Sequence, residues 1–262
     1  MVPRLAGEIA IDWDGRRVRI EHASIEGPAD GPLVVFLHEG LGCVAMWRDF
    51  PRELCMAAGA RGLVFSRPGY GGSSGPTEAH RDVDYLHRQA HEVLPRVLDA
   101  LGVHERAWVL GHSDGGTIAL LFAARLVQRT AGVVVLAPHI FVEDVTVRGV
   151  RRALDGYGAA QRERLARYHA QPDAVFHAWT GIWLDPRFRD WNIEREIGAI
   201  RAPLLAIQGV DDEYATLEQV RGIARRVPSA QLLELEHCGH APQRDQPRRV
   251  IDAVSRFLEA HR

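Results

Sequence analysis

Gly111-His112-Ser113-Asp114-Gly115-Gly116 follows the apolar run Ala107-Trp108-Val109-Leu110 and precedes Thr117-Ile118-Ala119-Leu120-Leu121-Phe122-Ala123. The order reads as a buried strand, a turn of residues that tolerate unusual backbone, and a helix. A bare G-x-S-x-G arises by chance in ordinary chains, so the flanking segments carry the weight. In this setting the turn is a sharp elbow that lifts the Ser113 hydroxyl above a sheet, and its outer glycines leave room where a Cβ would strike neighbouring elements. The plainer alternative is a serine that merely caps the following helix.

Working outward, Leu33-Val34-Val35-Phe36-Leu37, Gly62-Leu63-Val64-Phe65, Gly132-Val133-Val134-Val135-Leu136 and Leu204-Leu205-Ala206-Ile207 are further short apolar runs. Continuous runs of this kind mark strands buried on both faces, which belong to a parallel sheet. Helical patterning covers residues 48 to 59, 84 to 101, 116 to 128 and 216 to 227, and Pro95 predicts a kink in the second of these. A last strand at 231 to 235 leads to Asp245-Gln246-Pro247, read as an Asp cap and a first-turn Pro for a closing helix through residue 260. Near the start, residues 8 to 13 and 17 to 25 alternate in polarity around Asp14-Gly15, a hairpin signal.

Residues 142 to 200 break the pattern. They hold no buried-strand run but carry Tyr157, Tyr168, Phe176, Trp179, Trp183, Phe188 and Trp191. This predicts an all-helical insertion between two parts of one core, 1 to 141 and 201 to 262. Its aromatics form either a small core of their own or the roof of a pocket.

With 262 residues, 46% hydrophobic and 25% charged, the composition is that of an ordinary globular protein with one large core. A net charge of −2 with scattered basic residues gives no footprint for nucleic acid or an anionic membrane. All basic residues other than His are Arg, so mechanisms that need a lysine, such as a Walker loop or a Schiff base, are excluded. No stretch reaches a membrane span and the N-terminus lacks an apolar signal core, which points to a cytoplasmic protein without a membrane partner. Cys43, Cys55 and Cys238 are odd in number and widely spaced, which argues against a disulfide framework. His237-Cys238-Gly239-His240 lacks a second ligand pair, so no metal is expected.

A serine hydroxyl becomes a nucleophile only when a base takes its proton, and the base needs a carboxylate to fix its tautomer. Asp211 and Asp212 end the strand run at 204 to 207, and His237 and His240 follow the final strand. The order Ser, Asp, His, together with these motifs, resembles the α/β-hydrolase fold family over about residues 17 to 260. That resemblance implies a mostly parallel twisted sheet of about eight strands flanked by helices, with a helical lid. Its G-x-x-D falls on Gly209 to Asp212 and its G-H-x-P on Gly239-His240-Ala241-Pro242. These assign Ser113, Asp212 and His240 as the triad, with Asp211 and His237 as alternates. The family's H-G-x-x-G is matched by His38-Glu39-Gly40-Leu41-Gly42, which implies an oxyanion hole from the N–H groups of Gly40, or else Leu41, and Asp114. His38 is implied to be structural. Ser66-Arg67-Pro68-Gly69-Tyr70-Gly71-Gly72-Ser73 resembles the family's D-x-P-G-x-G-x-S loop. It is no dinucleotide fingerprint, because Ser74 stands where the last glycine belongs.

Two departures stand out. Glu39 replaces a glycine and Ser66-Arg67 replaces Asp-x, which predicts a Glu39–Arg67 ion pair or two solvated charges. Asp114 follows the nucleophile, as in valacyclovir hydrolase-like members of the family, so its carboxylate and that of Glu39 are expected to favour a cationic acyl group, unless a local backbone bond takes it. The implied activity is hydrolysis of a small carboxylic ester, thioester or lactone through an acyl-enzyme on Ser113. Alternatives are an aminoacyl ester, a C–C bond of a ring-fission product with Arg148, Arg151 and Arg152 to hold its carboxylate, a ligand receptor, and a cofactor-free oxygenase. The expected pocket is walled by Glu39, His139, Trp179, Trp183 and Trp191 and takes a small molecule with an apolar or aromatic portion. No cofactor and no nucleic acid are expected, and the chain is expected to be a monomer or homodimer.

Overall fold

The computed structural model describes residues 4 to 75 and 81 to 262. The chain opens with strands β1 (Arg4–Trp13) and β2 (Arg16–Ile25), paired antiparallel. Asp14 and Gly15 between them have φ of 54° and 69°, the two left-handed residues that a tight hairpin turn requires. Then follow β3 (Leu33–Leu37), α1 (Phe50–Ala58), β4 (Arg61–Phe65), α2 (Tyr85–Arg88), α3 (Leu94–Ala100), β5 (Ala107–His112), α4 (Asp114–Arg125) and β6 (Thr130–Leu136). Between β6 and β7 (Leu204–Gly209) run α5 (Asp144–Asp155), α6 (Ala159–Ala166), α7 (Pro172–Trp183) and α8 (Glu194–Ile197). The chain ends with α9 (Glu218–Arg226), β8 (Gln231–Leu235), α10 (Pro242–Asp245) and α11 (Pro247–Ala260). Every apolar run read from the sequence lies within one of the strands β3 to β8.

The eight strands form one sheet in the order β1-β2-β4-β3-β5-β6-β7-β8. Strand β2 runs antiparallel to β1 and β4, and the remaining neighbours are parallel. Because side chains alternate, each apolar run feeds two cores. Val35, Val109, Val133 and Val135 face Val97, Ile118 and Phe122 from α3 and α4. Val34, Phe36, Trp108 and Leu110 face Leu54 of α1 and Val254 and Phe257 of α11 on the other side. From β3 the chain steps to β4 on one side and later to β5 on the other. The strand order therefore reverses between β3 and β5, and a crevice opens beyond their carboxyl ends.

Two local expectations change. The break near Pro95 is a π-helical turn, Gln89–Val93, immediately before α3. The wide turn has already interrupted the helical ladder, so the proline's missing N–H is tolerated just beyond it. Asp245 does not cap α11. Gln246 holds that position without a side-chain bond, and Asp245 instead accepts the Gly239 N–H at 3.0 Å. Among the described residues no helix is long and apolar enough to cross a membrane.

The elbow is packed backbone against backbone. A Cβ on Gly111 would lie 2.0 Å from the Gly115 carbonyl oxygen, and one on Gly115 would lie 2.0 Å from that of Leu37. At Gly116 the nearest atom would be Pro138 Cβ at 3.1 Å. Gly115→Ala is therefore expected to lose about 3 kcal/mol in urea unfolding, the upper range for overpacking. Gly116→Ala should stay within about 1 kcal/mol of wild type, and equal losses at the two positions would contradict this account of the packing.

Candidate active site

The site is assembled at the carboxyl ends of β3, β5, β7 and β8. Ser113 sits between β5 and α4 with φ 52° and ψ −119°, a conformation that L-residues avoid at a cost of about 1–3 kcal/mol. Its N–H is held by the Leu136 carbonyl at 2.9 Å. Asp114 opens α4, so its N–H has no partner within the helix.

His240 Nε2 lies 3.0 Å from Ser113 Oγ, and His240 Nδ1 lies 2.8 and 2.9 Å from the two oxygens of Asp212. The carboxylate thus keeps the proton on Nδ1 and leaves the Nε2 lone pair toward the serine hydroxyl. Asp212 is fixed in turn by the N–H groups of Tyr214 at 2.8 Å and Ala215 at 3.1 Å and by Gln208 Nε2 at 3.2 Å. Burial alone would raise the Asp212 pKa, but the bond from His240, its charge and the Tyr214 N–H together hold it below the usual value. The loop bearing His240 is anchored by Glu213, which accepts the His240 N–H at 3.2 Å, and by the Asp245 bond already described. The alternates Asp211 and His237 are exposed, and neither joins this line.

On the β3 side, His38 is buried and its Nε2 accepts the Arg67 N–H at 3.0 Å, while Nδ1–H donates to the Glu39 carbonyl at 2.8 Å. Burial and the Arg67 charge push its pKa well below the ordinary imidazole value, so it is a neutral strut. Gly40 follows directly and lies on the wall of a cavity of about 300 Å³ above Ser113.

These features meet in comparison with known proteins. A family model described as "Alpha/beta hydrolase family" matches residues 34–253. The chain belongs to the alpha/beta hydrolase family. As a hydrolase it is 28% identical over 258 residues to 2-hydroxy-6-oxo-2,4-heptadienoate hydrolase of Pseudomonas putida, covering 88% of this chain and 90% of that one. It is 24% identical over 246 residues to a 2-hydroxy-6-oxononadienedioate/2-hydroxy-6-oxononatrienedioate hydrolase of Comamonas testosteroni, covering 82% and 83%. Among solved structures, the enol-lactonase of Burkholderia xenovorans superposes with a TM-score of 0.74 at 21% identity, covering 95% of this chain and 99% of that one.

In this hydrolase the cavity wall includes Glu39, Gly40, His139, Trp179 and Trp183 from the sequence reading. Trp179 lies directly over Gly40, where a Cβ would approach its ring to 2.4 Å. Trp191 is not on this wall. It stacks on Phe188 at 5.1 Å and backs Trp183 at 6.4 Å, so it packs behind the ring that lines the cavity. Arg148, Arg151 and Arg152 are exposed on α5 and do not line the cavity.

The expectation for the Asp114 carboxylate is also corrected. It is buried behind the elbow, 3.7 Å from Arg67 and 3.9 Å from Arg81, and accepts from Tyr85 Oη at 3.1 Å. Two guanidiniums claim it, so it is not on the cavity wall. The Glu39–Arg67 ion pair is likewise absent. Arg67 donates to the Glu39 carbonyl at 2.8 Å, and the Glu39 carboxylate stands 3.6 Å from His112 Nδ1. Burial opposes ionisation of Glu39, but the nearby His112 outweighs it and brings its pKa down to about 2. Where the loop lacks its usual Asp, Glu21 of β2 takes over. It accepts from Ser66 Oγ at 2.6 Å and from the Gly72 N–H at 2.9 Å.

Sequence reasoning missed Gln208, Glu213, Tyr214 and Arg81. Gln208 had a readable signal, as a lone amide in an otherwise apolar buried strand needs partners. The others are ordinary loop residues whose roles depend on where the loops fold.

Asp114→Asn leaves two buried guanidiniums without their carboxylate and is expected to cost about 3–5 kcal/mol in urea unfolding, while the ratio of aminoacyl to plain acyl ester turnover stays unchanged. The depressed Glu39 pKa sets a second expectation. Its contribution is full above the ordinary carboxylate pKa of about 4.3 and is lost as pH falls toward 2. The Tm gap between wild type and Glu39→Gln should thus narrow as pH falls from about 5 toward 2. A gap independent of pH would refute the assignment.

Proposed function

We propose that this protein is a serine hydrolase that cleaves a small carboxylic ester, thioester or lactone through an acyl-enzyme on Ser113. The observation that carries the reading is the hydrogen-bonded line Asp212, His240, Ser113 at a strained elbow beneath a cavity. Ser113 Oγ attacks the carbonyl carbon as its proton passes to His240 Nε2, and Asp212 stabilises the imidazolium through Nδ1–H. The oxyanion takes hydrogen bonds from the N–H groups of Gly40 and Asp114. Collapse of the intermediate expels the alcohol or thiol with the proton from His240, and water then releases the acid by the same steps. The helical segment 142 to 200 acts as a lid whose Trp179 and Trp183 supply apolar cavity wall.

A second reading is cleavage of a C–C bond, favoured by the names of the curated relatives, whose substrates by those names are carboxylates. The cavity wall is a poorer fit to an anion. Glu39 and Glu213 line it, and its guanidinium, Arg244, is mostly exposed and lies 3.5 Å from Asp245. An aminoacyl ester suits the Glu39 carboxylate better than that of Asp114.

The test is labelling and turnover. A fluorophosphonate should modify wild type at Ser113 and leave Ser113→Ala unmodified. Hydrolysis of p-nitrophenyl esters, acyl thioesters and lactones should fall at least about 10⁴-fold in Ser113→Ala. Asp212→Asn should lower kcat by about 10⁴-fold through the wrong His240 tautomer. Label-free wild type with no turnover of any class would overturn the reading.

A further inference from the structure

His169 lies between α6 and α7, in the helical segment inserted between β6 and β7, yet it is 4% exposed and both of its ring nitrogens are engaged by other parts of the chain. Nδ1 accepts the Gly71 N–H at 3.0 Å in the loop after β4, and Nε2–H donates to the Leu41 carbonyl at 2.8 Å in the turn after β3. A backbone N–H only donates and a carbonyl only accepts, so these partners fix a neutral ring with its proton on Nε2. The residue's own backbone is held too, since its N–H bonds the Leu165 carbonyl of α6 at 2.9 Å. Gly71 has no slack, with φ at 55° and Glu21 Oε2 only 2.5 Å from where a Cβ would stand. Leu41 belongs to the turn Glu39–Gly42, which carries Gly40, the oxyanion donor of the proposed reaction. On one side of Gly40 the Glu39 carbonyl is pinned by core residues, taking His38 Nδ1–H at 2.8 Å, Arg67 at 2.8 Å and the Gly42 N–H at 3.1 Å. On the other side the Leu41 carbonyl is pinned by His169. Since Trp179 of α7 lies over Gly40, the inserted segment meets this turn at two successive residues.

We propose that His169 is a positioning residue for the oxyanion: by bridging Leu41 and Gly71 it seats the inserted helical segment on the turn and holds the Gly40 N–H toward the point where negative charge develops. A donor this close to the reacting atoms acts through its placement, and a small displacement of the turn forfeits most of its effect. Burial sets the His169 pKa below the ordinary imidazole value, against the Leu41 bond and the charges of Glu39 and Glu21, so the bridge is intact at neutral pH and above. The other titratable groups facing the ring are His38 and Tyr70, whose ring meets it edge-on at 6.0 Å. The inference rests on the hydrolase reading for its catalytic consequence, not for the bridge itself.

The experiment pairs p-nitrophenyl esters with the matching thionoesters, in which sulfur replaces the carbonyl oxygen. Sulfur is a poorer acceptor on a longer bond, so well-placed oxyanion donors favour the oxygen ester. His169→Leu keeps bulk and loses both bonds. It should lower kcat for the oxygen ester by about 10- to 100-fold with KM within about threefold of wild type. The oxygen-to-sulfur ratio in kcat/KM should fall by about tenfold or more. His169→Gln, which offers both an acceptor and a donor, should recover most of both quantities. His169→Asn, too short to reach both partners, takes the place of the leucine variant if that does not fold. Amide exchange in Ser113→Ala, with and without the His169 substitution, reads the bridge without turnover. Peptides spanning 38 to 44 and 69 to 73 should exchange at least about tenfold faster once it is lost, with those from β5 unchanged. Faster exchange in these two loops, in a protein whose wild type turns over no ester, would sink the hydrolase reading and leave the bridge standing. Equal slowing of oxygen and sulfur esters, or a raised KM at unchanged kcat, would overturn the positioning role, as would unaltered exchange in both loops.

Discussion

The closest constraint in the molecule is the meeting of three backbones where β3, β5 and the start of α4 converge. With room for no side-chain atom at Gly111 or Gly115, the helix presses onto the strand ends and Ser113 is forced into its left-handed turn. That strain persists only because the surroundings over-determine it. The Leu136 carbonyl below, the Thr117 bridge to His139 beyond β6 and the buried Asp114 cluster behind hold it from separate directions. The hydroxyl is therefore presented by the whole upper edge of the sheet.

Polar groups near the site are committed with unequal completeness. The Asp212 carboxylate meets His240, two backbone N–H groups and Gln208, which leaves it little freedom to turn. Asp114 shares one oxygen among Arg67, Arg81 and Tyr85, a cluster with more positive than negative charge. Such an assembly is costly to bury and costlier to break, and its place under α4 makes it a foundation rather than a ligand contact. Of Asp114 and Glu39, only Glu39 reaches the cavity, where Glu213 joins it.

The strands were legible because burial on both faces writes itself as unbroken Val, Leu and Ile, and the hairpin because Asp14-Gly15 admits left-handed backbone. The positions of Ser113, Asp212 and His240 could be read because the chemistry demands these residue types at strand ends in that order. What could not be read were the destinations of charged side chains. Asp114, Glu39 and Arg67 each found a partner from a distant segment other than the one expected, and Asp245 turned back to the Gly239 N–H instead of capping α11. Local spacing ranks neighbours along the chain, whereas a carboxylate chooses among neighbours in space. Trp191 failed for a related reason, since aromatic content marks a cluster but not which ring stands at its surface.

Glu21 belongs to the N-terminal hairpin, yet it holds the loop that follows β4. Since Ser66 Oγ also receives the Val44 N–H at 2.9 Å, a single carboxylate on β2 links that hairpin to the segment after β3. The first two strands of the sheet are thus mechanically continuous with the crevice beyond β3. Fraying of β1 and β2 would propagate inward as looseness of the loop, so an edge that looks dispensable sets the rigidity of the centre.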